Sequence, residues 1–416
     1  MSQFKFLNRQ ALYLRPDPGR VVVRPFKPAT EPRDLNPTDK TRANHIIDRV
    51  LALEPEIAAA QLSEVLENFV GRHRNLLETF EARADEMEEA LAPHVPFTKV
   101  QRQLVGAYFL NEYSFEAAAL FNPSIVSHPD QSGVPNGGRR FILSLRAVGE
   151  GHVSSLTFRS GIIGADGNVA VDPTVRLASV PQVRKRIAGP LGDEVELSFR
   201  PDEDISERVI FPITESQSNG IEDARFVEFH DDDHRRFLAT YTAYSGRAIR
   251  SELIETSDFI SFKMSPLMGS AAQNKGMALF PRKIGGRYAM IARQDNENLY
   301  LIYSDDLYRW DGGVAMLKPE FPWEFVQIGN CGSPIELVEG WLLLTHGVGP
   351  VRKYSIGAAL LDKNDPSKVI ARAREPLIQP ELSEREGYVP NVVYTCGAMR
   401  HNDQIVLPYA ISDTFS

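Results

Sequence analysis

The sequence predicts a mainly β protein, a five-bladed β-propeller carrying an N-terminal α-helical extension. Three observations lead there. From residue 121 onward, short β-rich runs such as Arg140-Phe141-Ile142-Leu143-Ser144-Leu145 alternate with Gly, Pro, Asn and Asp turns, and no long helical period returns. Within that stretch a weak repeat recurs. Thr256-Ser257-Asp258-Phe259-Ile260-Ser261-Phe262 resembles Tyr303-Ser304-Asp305-Asp306-Leu307-Tyr308-Arg309-Trp310, with further copies at Leu360-Leu361-Asp362-Lys363 and Ile411-Ser412-Asp413 and a poorer one at Arg159-Ser160-Gly161 with Asp166-Gly167. The spacing is roughly 50 residues, a blade length, so about five units fit. In each copy a strand ends in Ser/Thr-Asp, and the Asp can cap the turn that follows. Third, helical periodicity is confined to the first part of the chain. The competing arrangement is a β-sandwich with chance Ser-Asp turns.

Residues 1–40 are rich in Pro and Arg and read as an extended arm with one strand-like run, Val21-Val22-Val23. Leu62, Leu66, Phe69, His73, Leu76, Phe80, Ala84, Met87 and Leu91 then recur at helical spacing, predicting one helix with Pro55 in its first turn and Pro93 at its end. A second helix is expected from about Thr98 to Tyr113, with Val100, Leu104, Ala107 and Tyr108 inward. A short third piece covers Phe115 to Leu120 and stops at Asn122-Pro123. The apolar stripe is read as core. The domain division is therefore 1–120, arm and helices, and 121–416, the catalytic propeller.

With 416 residues, 43% hydrophobic and 24% charged, the composition is that of an ordinary globular protein. A net charge of -9 argues against wide contacts with nucleic acid or an anionic membrane surface. The two cysteines, Cys331 and Cys396, are too few for a disulfide scaffold and fit a reducing compartment. No Cys/His spacing suggests zinc, no apolar leader opens the chain, and no apolar run is long enough to span a bilayer. A cytoplasmic setting without metal or cofactor is expected. The chain stops at Ser416 within what reads as an unfinished element, so the sequence is expected to continue.

The run Gly220-Ile221-Glu222-Asp223-Ala224-Arg225-Phe226 carries the sharpest chemical signal. Neighbouring strand side chains point to opposite faces, so its two acids cannot share one environment, and Arg225 is near enough to tune either. A turn with neutralised carboxylates is the plainer reading. A propeller would gather inner-strand residues from distant blades into one funnel. Lys275, beside Gly276, can deliver an ammonium to an oxyanion. His346 and Arg146 each end an apolar strand, and Arg247 or Arg250 follows Tyr241-Thr242-Ala243-Tyr244. Together these cations suit phosphate or another small anion. Tyr241 and Tyr244 read equally as a sugar-stacking wall or as sheet aromatics. Serine-hydrolase, dinucleotide and Walker motifs do not occur.

As a set, five blocks resemble glycoside hydrolase family 130, the β-mannoside phosphorylases and β-mannosidases. They are Phe121-Asn122-Pro123 with Leu143-Ser144-Leu145-Arg146-Ala147; Gly220 to Arg225; Asn274-Lys275 with Leu279-Phe280-Pro281; Gly332-Ser333-Pro334-Ile335 with Gly340-Trp341-Leu342 and His346-Gly347-Val348; and Gly357-Ala358-Ala359-Leu360-Leu361-Asp362 with Val389-Pro390-Asn391-Val392-Val393. The resemblance covers residues 121–416 and implies a five-bladed propeller that cleaves β-linked mannose with inversion. It implies Asp223 as general acid, acting in family phosphorylases through the mannose 3-hydroxyl, and inorganic phosphate as co-substrate held by Arg146, Arg247 or Arg250, Lys275 and His346. Asn122, Glu222, Arg225, Tyr241, Tyr244 and Asn274 are the candidates for binding sugar. Two departures stand out: Ala224 replaces a usual Pro, and Thr345 replaces an aromatic before the His. The acidic stretch Asp231-Asp232-Asp233-His234 leaves the choice between Arg247 and Arg250 open.

The expected activity is thus phosphorolysis of β-mannosides to mannose 1-phosphate. Hydrolysis is the alternative and would need a carboxylate base, with Glu222, Glu384 and Glu386 as candidates. A non-catalytic carbohydrate-binding propeller is another, and so is a scaffold. The N-terminal helices are candidates for a homo-oligomer contact.

Overall fold

A computed structural model describes residues 6–30, 40–91, 96–231 and 234–416. Two compact units emerge: Gly19–Ser114 with Arg176–Ser179, and Met1–Pro18 with Phe115–Val175 and Val180–Ser416.

The smaller unit holds four helices, α1 (Arg42–Leu51), α2 (Pro55–Phe69), α3 (Leu76–Leu91) and α4 (Lys99–Tyr108). Thr41 and Thr98 open α1 and α4 with capping boxes, each hydroxyl accepting from the N–H three residues on. Pro55 takes the first turn of α2, where its missing N–H costs nothing. Helix α1 was not foreseen. The single helix expected from Pro55 is two, because the chain turns at Val70 and Gly71 takes φ 72°. His73, expected on the apolar stripe, sits instead with its Nε2 2.6 Å from Glu112, which also holds Arg72 at 2.7 Å. Pro93 lies outside the described residues. Gly106 in α4 is obligatory, since a Cβ there would lie 1.9 Å from the Phe80 carbonyl oxygen of α3. Helix α4 ends at Tyr108, so Tyr113 belongs to a strand, Leu110–Ser114, paired antiparallel with Val21–Pro25.

The larger unit is mainly β. Residues Phe115–Leu120, expected to be helical, form a turn and the start of the strand Ala119–Ser127. All nine residues of that strand are buried against Arg139–Val148, so tertiary pairing overrides the helix preference of Ala117-Ala118-Ala119. An eleven-stranded sheet begins with the antiparallel meander Ala119–Ser127, Arg139–Val148, Ser154–Ile163. It continues with Gly220–Asp231, His234–Tyr244, Ile249–Thr256 and Ser261–Pro266. The two meanders meet where Gly220 pairs in parallel with Ser154. Gly220 has φ 145°, and a Cβ on it would fall 2.3 Å from Ser154 Oγ. A four-stranded sheet (Ala278–Leu279, Tyr288–Ala292, Leu299–Ser304, Val314–Leu317) follows. Next comes a five-stranded sheet whose long strands are Trp341–Val348 and Tyr354–Leu361, and then two short strand pairs.

Aromatic rings fill the first core, where Phe158 meets Phe226, Phe259 and Phe262 at centroid distances of 6.2, 5.7 and 5.9 Å. The repeated aspartates behave as turn caps. Asp258 accepts from the N–H groups of Ile260 and Ser261 at 2.8 Å, and Asp362 from those of Asn364 and Asp365 at 2.9 Å. Asp413 differs, its carboxyl lining a cavity. Among the described residues, no helix is long and apolar enough to cross a membrane.

Candidate active site

Two β-bulges build the site. The strand Ala119–Ser127 slips register between Phe121 and Ser124, and Gly220–Asp231 slips between Glu222 and Arg225. Each bulge holds one residue left-handed, Asn122 at φ 52° and Asp223 at φ 55°. Bulges re-aim side chains, and here they bring Asn122 Nδ2 to 2.6 Å from Asp223 Oδ1. Ser124 Oγ accepts from the Phe226 N–H at 3.0 Å, tying the bulges together. Ala224, in place of the expected Pro, is buried and leaves this arrangement in place.

Around Asp223 lies a cavity of about 160 Å³, room for on the order of ten waters and so for a small molecule. Arg146 reaches it from the end of its strand, donating to Glu222 Oε1 at 2.8 Å, with Nη1 3.6 Å from Asp223 Oδ1. Arg225 is buried in the floor and donates to the Asp223 carbonyl (3.1 Å) and to the Tyr394 hydroxyl (2.7 Å). Lys275 lines another wall. Its N–H donates to Asn274 Oδ1 at 2.8 Å, while Asn274 Nδ2 donates to Asn296 Oδ1 at 2.8 Å. Asn274 therefore shapes the lysine's loop without lining the cavity.

His346 lines the cavity as a neutral group, not the cation the sequence suggested. Burial, then the charges of Arg293 and Arg225, hold its pKa well below the usual imidazole value. Its Nδ1 lies 3.1 Å from the Asn330 carbonyl, so Nδ1–H donates there and Nε2 remains an acceptor. For Asp223, burial works to raise the carboxyl, but Arg146, Arg225, Lys275 and the Asn122 amide outweigh it and leave the pKa below the ordinary value.

Six predicted residues lie elsewhere. Tyr241 shares a strand face with Ala239 and Ala243 and is buried in the apolar core, its hydroxyl bonded to Glu252 and Gln217. Tyr244 ends the same strand and donates to the Gly246 carbonyl at 3.4 Å. Arg247 is exposed in the turn between strands, and Arg250 follows it on Ile249–Thr256, opposite Ala243. Neither lines the cavity; Asp232 and Asp233, which blurred that register, lie outside the described residues. Glu386 is exposed and away from the cavity. Glu384 is buried under other partners, the Tyr409 hydroxyl (3.0 Å) and the Glu381 N–H (2.9 Å).

Sequence reasoning missed several lining residues, among them Arg293, Asn330, Arg352, Tyr354, Tyr394 and Asp413. Arg293 follows the apolar strand Tyr288–Ala292, the same signal that singled out Arg146 and His346. Asp413 was visible only as a degenerate Ser-Asp copy. Ser412 and Asp413 take φ 48° and 49°, which turns the carboxyl into the cavity. Burial and the neighbouring Asp223 push the Asp413 pKa up to about 6. Nothing local marked the two tyrosines.

A family model described as beta-1,4-mannooligosaccharide phosphorylase matches residues 200–415, just over half of the chain. The chain belongs to glycoside hydrolase family 130. It is 37% identical over 206 residues to a 1,2-beta-oligomannan phosphorylase of Thermoanaerobacter sp., an alignment covering 48% of this chain and 68% of the relative. With a beta-1,2-mannobiose phosphorylase of Listeria innocua the identity is 34% over 213 residues, covering 49% and 58%. In fold it is similar to the solved structure of a Listeria innocua beta-1,2-mannobiose phosphorylase (TM-score 0.50, 23% identity, 72% of this chain and 88% of that one). A putative glycoside hydrolase from Parabacteroides distasonis is also similar (TM-score 0.54, 20% identity, 73% and 87%). The family 130 match starts at residue 200, so it takes in Asp223, Lys275 and His346, whereas Asn122 and Arg146 join them through folding.

Proposed function

We propose that this family 130 enzyme phosphorolyses β-mannosides with inversion, giving mannose 1-phosphate and a shortened acceptor. One observation carries this choice over hydrolysis: the acid shares its cavity with an excess of cations, three of which keep one buried donor without a partner. Nε of Arg146, Arg225 and Arg293 is buried without a hydrogen bond, and Lys275 lines the same cavity. Such donors suit a desolvated phosphate dianion.

Asp223 gives its proton, relayed through the mannose 3-hydroxyl, to the glycosidic oxygen as the bond to C1 breaks, and a phosphate oxygen bonds to C1 from the opposite face. Asn122 orients the carboxyl, and Arg146 with Glu222 holds that wall rigid. His346 Nε2 accepts a proton-bearing oxygen, from phosphate or from a sugar hydroxyl. Before phosphate binds, Asp223 is ionised. The incoming dianion offsets the lysine and arginine charges that depress its pKa, so the acid acquires its proton as the nucleophile arrives. A water nucleophile would need a carboxylate base. Glu222 is bound to Arg146, and Asp413 stands beside the acid itself.

The proposed architecture is a five-bladed propeller, supported by successive sheets, of which the eleven-stranded sheet, the five-stranded sheet and the pair holding Val393–Tyr394 send residues to one cavity that residues flanking the four-stranded sheet also line. The helices of residues 1–120 are proposed as an oligomer contact. A cytoplasmic setting suits two buried free thiols and a reaction that consumes inorganic phosphate. Incubation with β-1,2- and β-1,4-mannobiose, with and without phosphate, tests the reading. Mannose 1-phosphate should form only with phosphate; free mannose at equal rates in both would establish hydrolysis instead.

A further inference from the structure

Arg352 is the exposed lining residue and Val389 lines the same cavity half-buried, whereas Arg225, His346 and Tyr394 are buried, so the cavity opens on the side of Arg352. Beside Val389 stands Tyr388, a large ring 53% exposed to solvent. It is nevertheless fixed. Its N–H donates to Thr414 Oγ1 (2.9 Å) and the Val389 N–H to the Ser412 carbonyl (3.0 Å), on either side of Asp413. Its phenol oxygen lies 2.8 Å from His152 Nδ1, with ring centroids 5.5 Å apart.

His152 belongs to the tip of the hairpin whose first strand carries Arg146, and with Gly151 it forms a left-handed pair (φ 60° and 67°). A second hairpin tip repeats the device: Val351 and Arg352 both take φ 54°. Such a backbone is costly for a β-branched residue, on the order of 1–3 kcal/mol, and Val351 recovers nothing by burial, being 91% exposed. One left-handed tip thus braces Tyr388, and the other sets Arg352 in the cavity lining with Val351 beside it in sequence.

Resting on the phosphorolysis reading, we propose that Tyr388, braced by His152, is the stacking platform for the leaving sugar of a β-mannoside. A substrate entering a cavity with a buried floor places its cleaved ring inside and its remaining rings at the opening. Pyranose rings offer an apolar C–H face that an aromatic ring covers.

In the synthetic direction, with mannose 1-phosphate as donor, Tyr388→Ala should raise KM for the mannose or mannobiose acceptor about three- to tenfold. KM for mannose 1-phosphate should not change. Tyr388→Phe and His152→Ala should fall between. Calorimetric binding of β-mannotriose without phosphate gives a second readout that needs no turnover, and there too Tyr388→Ala should bind more weakly. An unchanged acceptor KM, an equal rise in donor KM, or equal mannotriose affinity would overturn the platform. Wild-type protein that binds mannotriose but never uses phosphate would overturn the phosphorolysis reading while the binding comparison still decides the platform. Wild-type protein that binds no β-mannoside would end both.

Discussion

Asp223 and Asp413 share a cavity but are driven in opposite directions, one below and one above the ordinary carboxyl range. That split separates their effects on mutation. Asp223→Asn keeps the size of the side chain and removes the proposed proton donor, so kcat should fall by roughly 10²- to 10⁴-fold with the fold intact; full turnover would remove Asp223 from the mechanism. Asp413 has the reverse relation to stability. Its pKa is raised from 3.8 to about 6, so the folded protein binds this proton more tightly than the unfolded chain does. The carboxyl costs nothing below about pH 4, destabilises progressively between 4 and 6, and exacts its whole cost above that, at most about 3 kcal/mol. Asp413→Asn should therefore melt higher than wild type at pH 7.5 and at the same temperature near pH 4; a pH-independent difference would contradict this. Lys275→Ala should raise KM for phosphate roughly ten- to hundredfold, the loss of one charge-assisted contact, and an unchanged phosphate dependence would favour hydrolysis.

At the scale of elements, the site depends on bulges rather than on regular strand. Period-two alternation would send Glu222 and Arg225 to opposite faces; the bulge between them lets Asp223 point at Asn122 while Arg225 passes beneath it. Sequence pattern shows alternation well and bulges poorly, which is why the motif around Asp223 was legible and its partner geometry was not. Tyr241 was misplaced for another reason: strand parity puts it on the face of Ala239 and Ala243, but parity alone does not say that this face is the core. The α2–α3 break was hidden likewise, because a left-handed glycine interrupts an otherwise unbroken helical period. Gly220 anchors the second bulge's strand against Ser154. Gly220→Ala forces a Cβ against Ser154 Oγ and its backbone N–H, and should cost about 1–3 kcal/mol. Because the strain lies three residues from Asp223, kcat should fall with stability. Denaturant unfolding alongside kinetics checks this, and a stable variant of normal activity would show that the junction tolerates a methyl group.

Across the whole molecule, the cavity draws on residues from Asn122 to Asp413. No local pattern encodes that convergence. The β character, the turn aspartates and the family blocks were readable because each rests on contiguous residues. Arg352, Tyr354 and Tyr394 were not, since only the closing of distant strands gives them a role. The convergence also couples binding to protonation. Arg146, Arg225 and Lys275 come from three separated segments, and together they hold Asp223 ionised. A phosphate dianion among them cancels part of that field and lifts the Asp223 pKa. Phosphate binding should therefore take up protons at pH values between the free and bound pKa of Asp223. Calorimetric titration in buffers of different ionisation enthalpy measures that uptake directly. Wild type should show more proton uptake per phosphate than Asp223→Asn, and the difference should shrink in Lys275→Ala. Equal uptake in wild type and Asp223→Asn would mean that the acid does not sense the anion, and that the two halves of the proposed mechanism are not joined.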